Sequence, residues 1–314
     1  MSRNVTDVLR RGVLSTLANW PVIVTRIAET AVLFGVMIVA VIGAVIPPLV
    51  SAGIKNWTLP AGDNAGEVVL QILAEHAALF TYLLLFFCAI AFVTLAIHAV
   101  VTAGATRIYV DAERAAPDVP ELRREQFAVF TMERWSDGVR AWWLRIFWIY
   151  NGAWGYAALL FLLPLLLIVL LLAAAMSAGN MAVTIAASCG GLALLVLVAI
   201  PLGLVTSIWA QKAIVICVAR DTSARDALRS GWRETRADFL RHFVIFFLIT
   251  MISVGASALT STLFAPLSFP TRPDGLASLV FGPMHIVSLA VQSAISSAVG
   301  LWLIASFAAM TGER

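Results

Sequence analysis

Residues 220–242, RDTSARDALRSGWRETRADFLRH, are the most charged run in a chain of 314 residues that is 61% hydrophobic and 12% charged. Thr222 or Ser223 can cap a helix here, and Asp226 stands three residues after Ser223, where a capping box carries its Glu or Gln. Turned through the helical angle, Ala224, Leu228, Gly231, Trp232, Thr235 and Phe239 share one face. Arg225, Arg229, Arg233 and Arg236 run along its flank, and Asp226, Glu234 and Asp238 are expected to point away. An apolar strip edged by arginine predicts a helix lying in the membrane plane, with its guanidinium groups reaching lipid phosphates. Arg225, Arg229, Arg233, Arg236 and Trp232 are therefore the candidate headgroup site.

The low charge content, against about 25% in soluble domains, predicts an integral membrane protein. The connections between apolar spans are shorter than the roughly 50 residues an independent domain needs, so residues 1–314 read as one membrane domain. Six spans are long enough for the hydrocarbon core, at about 24–48, 77–105, 146–175, 182–210, 243–265 and 284–308. Of the 21 basic residues, 19 fall in the two termini and the 106–145 and 211–242 loops, with Arg26 counted with the N-terminus, and two fall in the remaining loops. That bias places both termini in the cytoplasm. Only two of the basic residues are lysine, a usage that fits a GC-rich bacterial genome and hence a bacterial inner membrane.

Each outward-going span follows a basic segment, at about 2–20, 121–145 and 222–242. In the first, Val5, Val8, Leu9, Val13, Leu17 and Trp20 recur at helical spacing before Pro21 closes it. The middle one sets Phe127, Phe130, Trp135, Trp142 and Trp143 among five arginines, a mixture typical of the headgroup level. Asp7, Leu9, Arg10, Gly12, Thr16 and Ala18 match Asp226, Leu228, Arg229, Gly231, Thr235 and Ala237 without a gap. The expected architecture is all-α, with six transmembrane helices in three hairpins, each preceded by a cytoplasmic amphipathic in-plane helix.

The run Ala227-Leu228-Arg229-Ser230-Gly231-Trp232, with Thr235, Arg236 and Phe239 beyond it, resembles a signature of bacterial six-helix membrane proteins akin to the membrane domain of glycerophosphoryl diester phosphodiesterases. Gly231, Glu234 and Ala237 depart from that pattern, while Tyr109 and Asp111 fit its layout. The resemblance implies the six-span fold and the inner membrane. It does not imply phosphodiesterase activity, because the catalytic barrel is absent from this sequence.

No nucleophile elbow, phosphate loop or metal-ligand spacing occurs, so no enzyme activity, metal or cofactor is expected, and no nucleic-acid partner. Cys88, Cys189 and Cys217 sit in apolar spans and read as buried packing residues. Polar residues inside spans are the remaining functional candidates. Arg26, Glu29, His98, Asn151, Gln211 and Lys212 lie at comparable depth near the inner leaflet and could line a cytoplasm-facing polar pocket; interhelical hydrogen bonding is the plainer reading. Ser288, Gln292, Ser296 and Gly300, every fourth residue, and Ser253, Ser257 and Ser261 predict a close packing ridge between the last two spans. Pro164 and Pro201 should kink the third and fourth. Three functions fit these features: an accessory, scaffold or lipid-handling protein that holds anionic lipid, with or without a membrane or cytoplasmic protein partner; a small-solute or lipid transporter; and a lipid-acting membrane enzyme.

Overall fold

A computed structural model describes residues 3–51, 75–117, 119, 121–177, 181–268 and 276–312. No strand occurs among the described residues, and six helices are long and apolar enough to cross a membrane. The protein is an all-α polytopic membrane protein. Its helices are α1 (Val5–Ala18), α2 (Pro21–Ala40), α3 (Ile46–Ser51), α4 (Ala77–Ala115), α5 (Met132–Ser177), α6 (Met181–Arg220), α7 (Ala224–Ala237), α8 (Phe239–Ser268) and α9 (Leu276–Thr311). A π-helical turn over Val41–Val45 joins α2 to α3. The first span therefore runs from Pro21 to Pro48.

The local signals at α1 and α7 work as their chemistry dictates. Asn4 and Ser223 cap the two helices, each side chain accepting from the backbone N–H three residues on, at Asp7 and Asp226. Pro21 occupies the first turn of α2, where its missing N–H costs nothing. The middle basic segment differs from the expectation of a separate in-plane helix over 121–145. A short 3-10 turn, Arg124–Phe127, is followed by four residues without helix, and then α5 runs unbroken from Met132 through the whole third span. No proline, glycine or capping side chain stands near residue 145 to stop it.

The repeat visible between α1 and α7 is a repeat of docking. Gly231 lies against α6, where an added Cβ would fall 2.9 Å from the Cα and Cβ of Ala213. Gly12 lies against Ser306 of α9, and Gly138 against Arg107 of α4. The indole of Trp209 donates to the Leu228 carbonyl at 2.8 Å. The indole of Trp302 donates to the Leu9 carbonyl, the matching position of α1, at 3.0 Å. Each basic segment thus rests on the charged end of an even-numbered span: α1 on the sixth, the start of α5 on the second, α7 on the fourth. The even spans α4, α6 and α9 pack on one another, and α2, α5 and α8 lie outside them. The expected hairpins are present, the first span against the second, the third against the fourth and the fifth against the sixth, and each basic helix links an even span to the odd span that follows, with α1 packed onto α9.

The core is concentrated at this end. Ile108, Tyr109, Ile146, Ile149, Ile208, Ile214, Leu301 and Phe307 are fully buried or nearly so. The far halves of the spans present Val39, Leu163 and Leu197, each more than 70% exposed. Cys88 and Cys189 are on that outer surface, against the expectation that all three cysteines are buried; only Cys217 is. The serine ridge also differs: Ser297 is buried, but Ser296 and Gly300 are exposed, and a Cβ on Gly300 meets nothing within 4 Å. A four-residue period on a helix drifts by 40° per step, so its last members have rotated out of the interface.

The turn from α6 to α7 shows why Asp221 matters. It holds φ 48°, in the left-handed region, which aspartate tolerates better than most side chains. The Thr222 N–H returns to the Cys217 carbonyl at 3.2 Å, closing a Schellman-type end. The Asp221 carboxylate accepts from Arg145 at 2.7 Å and from the Trp142 indole at 3.0 Å. These two donors, Arg145 first, hold its carboxyl below the usual carboxylate range. A group with a lowered folded-state pKa stabilises above its unfolded value and loses that contribution as pH falls through its folded one. Acid titration of the wild type should therefore show a loss of thermal stability below about pH 4 that Asp221→Asn diminishes. Identical acid profiles would show that the turn does not depend on this charge.

Candidate lipid groove and intramembrane ionic cluster

The buried side of α7 is Ala227, Gly231, Glu234 and Thr235, which rotates the helix relative to the expected apolar face. Glu234, expected to point away, faces the bundle. Its carboxylate lies 2.7 Å from Arg220 and 3.4 Å from Lys212, and the Lys212 ammonium also donates to Thr311 at 2.9 Å. A lysine only 2% exposed must carry its counter-ion with it. Trp232 and Phe239 are 43% and 40% exposed, so they stand at the rim of the helix.

Beneath that rim is a groove of about 720 Å³ between α5, α6 and α7. Tyr156, Trp209 and Trp232 form a row along it, with ring centroids 6.0 Å and 5.5 Å apart, edge to face. Leu160, Leu197, Leu202 and Val205 make its apolar wall, Pro201 lies in the floor, and Arg225 and Arg229 stand at its mouth. A second concavity of about 580 Å³ is lined by Arg229, Trp232, Arg233, Arg236 and Ala237. All four arginines are exposed and have no hydrogen-bond or ion-pair partner among the described residues.

At the matching position under α1, Val8, Ile245, Ile249, Ala309 and Met310 form a buried apolar cluster. Counted from Gly138 and Gly231, the residues of α5 that correspond to Ile245 and Ile249 are Gly152 and Tyr156. Gly152 admits Leu228, whose Cδ1 lies 2.8 Å from where a Cβ would be. The groove is thus a local departure from a packing scheme used elsewhere in the same chain.

The six residues expected to line a polar pocket separate into two groups and a remainder. Arg26, Glu29 and His98 meet between the first two spans. The Arg26 guanidinium donates to Glu29 at 2.7 Å and lies 3.3 Å from His98 Nε2, while His98 Nδ1 lies 2.8 Å from Glu29. Tyr150 of α5 completes the cluster, its hydroxyl 3.1 Å from His98 Nε2, and Thr102 accepts weakly from Arg26 at 3.4 Å. Gln211 adjoins the Tyr150 hydroxyl. Asn151 does not join: its amide donates to the Phe147 carbonyl of its own helix at 2.9 Å. One residue along a helix is a turn of 100°, so Tyr150 faces the cluster and its neighbour does not. Lys212 belongs to the separate Glu234 group described above. A third buried group, Arg3 and Arg11 on Glu113 at 2.6 Å and 2.9 Å, ties α1 to α4.

Sequence reasoning missed Tyr150, Thr102, Glu113 and Glu234. Only Glu113 carried a signal, being an acid at the end of an apolar run with two arginines on the first helix to meet. Comparison of the chain with family models, curated proteins and solved structures finds no match in any of the three.

Proposed function

We propose that this is a non-enzymatic, anionic-lipid-binding protein of a bacterial inner membrane, acting as an accessory, scaffold or lipid-handling component. The observation that carries the reading is the open groove under α7, apolar along its length and edged by arginines that have no hydrogen-bond or ion-pair partner among the described residues. Guanidinium forks match phosphate geometry, and each basic residue near an anionic surface contributes about 1 kcal/mol. Four therefore contribute several kcal/mol toward retained lipid. Changing Arg225, Arg229, Arg233 and Arg236 together to glutamine should lower co-purified phosphatidylglycerol and cardiolipin per protein and leave insertion intact. Equal lipid in both proteins would favour an acidic protein partner on the same face.

The basic bias of the loops supports cytoplasmic termini. Reporters fused at residues 118 and 314 should read cytoplasmic and one at residue 63 external; reversal at any of the three removes the topology on which the lipid reading depends.

A second reading, transport of a small solute, rests on the Arg26–Glu29–His98–Tyr150 cluster. It is a charged constellation within the apolar portion of the spans, and such groups are functional candidates by default. Its members satisfy one another, which favours a structural role.

A further inference from the structure

We infer that the α7 site selects a lipid with two phosphodiesters joined by a glycerol, a diphosphatidyl lipid of the cardiolipin type, over a lipid with one. The inference rests on the lipid reading above and adds the headgroup class to it. The basic face has two concavities side by side, sharing Arg229 and Trp232 as a common wall. Arg225 and Arg229 stand over the groove between α5 and α6, while Arg233 and Arg236 belong to the second concavity alone. The four side chains start within about 80° of one another around the helix and spread along about 17 Å of its axis. All are exposed, with no protein partner among the described residues.

The midpoints of the two arginine pairs are about 11 Å apart along the axis. One phosphate cannot engage all four, because Arg225 and Arg236 start about 17 Å apart along the axis. Two phosphates in direct linkage, as in a diphosphate, would crowd onto the same pair. A glycerol bridge separates two phosphodiesters enough for long guanidinium side chains to close the remaining distance from each end. The apolar surfaces are divided in the same way. The groove along Leu160, Leu197 and Val205 accepts chains on one side, and the exposed Phe239 and Leu240 offer apolar surface beyond the second concavity. Trp232 lines both concavities.

The test uses the full-length protein in nanodiscs of phosphatidylcholine doped with either cardiolipin or phosphatidylglycerol at equal phosphate, with bound lipid counted by native mass spectrometry. Wild type should retain cardiolipin roughly thirtyfold better than phosphatidylglycerol, given the two additional arginines engaged. Arg233→Gln with Arg236→Gln should bring cardiolipin down to the phosphatidylglycerol level and leave phosphatidylglycerol unchanged. Arg225→Gln with Arg229→Gln should lower both. Equal retention of the two lipids by wild type, or a loss of phosphatidylglycerol together with cardiolipin in the Arg233→Gln, Arg236→Gln variant, would overturn the two-site assignment while leaving an anionic-lipid site in place. No preference for either lipid over phosphatidylcholine would overturn the lipid reading itself.

Discussion

Replacing Gly231 with leucine should detach α7 from α6 and lower thermal stability in detergent more than any other single apolar substitution in the basic helices. The Cβ alone would stand 2.9 Å from Ala213 Cα and 3.0 Å from its backbone nitrogen. Helix backbone in the packed inner half of α6 has no room to retreat, because Ile214, Val215 and Ile216 are fully buried on its other sides. Overpacking costs about 1–3 kcal/mol where side chains absorb the strain; here backbone must move, so the upper end applies. The displacement would also part Glu234 from Lys212 and remove the α7 side of the groove, so lipid retention should fall with stability. Gly300→Leu supplies the contrast. Nothing lies within 4 Å of its Cβ, and stability should be unchanged. A Gly231→Leu protein as stable as wild type would mean that α7 is not seated on α6 as described.

The contrast between these two glycines shows what the chain discloses and what it withholds. Both stand in helical segments, but only Gly300 invites a packing reading, as part of the small-residue ridge, whereas Gly231 reads as part of the apolar face of an in-plane helix. Gly231 is a contact because a helix with its own cap and turn returns it to α6, and the matching Gly12 hints at this in sequence. Gly300 is not, because a ridge of small residues states only that close approach is permitted, not where the partner lies. The spans themselves were legible from hydropathy, and the caps at Asn4 and Ser223 from side-chain chemistry. The continuity of α5 was not, since apolar, aromatic and basic residues all propagate helix and nothing marks the passage from one environment to the next. Glu234 was placed on the wrong side for a related reason. Its counter-ion, Lys212, is on a different helix, and no period within α7 can report that. Arg26, Glu29 and His98 were grouped correctly by depth alone, whereas Asn151 shared their depth and not their face.

Glu29→Leu should be among the most damaging single changes, and its rescue decides what the cluster is for. Glu29 is 5% exposed and holds both Arg26 and His98. Removing one partner of a buried ion pair leaves the other charge uncompensated, at a cost of about 3–5 kcal/mol. Part of that could be recovered by Arg26 moving its head toward the interface, since its side chain is 19% exposed. Replacing Arg26 and Glu29 together by leucine removes the charge from both sides, and apolar substitutes for a buried pair are often neutral or stabilising. His98 would keep its contact with Tyr150 at Nε2 and lose Glu29 at Nδ1 and Arg26 at Nε2. The expected result is a severe loss in the single variant and recovery of most of it in the double, with lipid retention at α7 unaffected. That outcome makes the cluster an interhelical fastening whose charges compensate one another. A double variant as unstable as the single would mean that the charges position the first span against the second in a way leucine cannot. A stable double variant with lost solute flux in proteoliposomes would move the function from the groove to the cluster, because stability would then have been separated from the chemistry of Arg26 and Glu29.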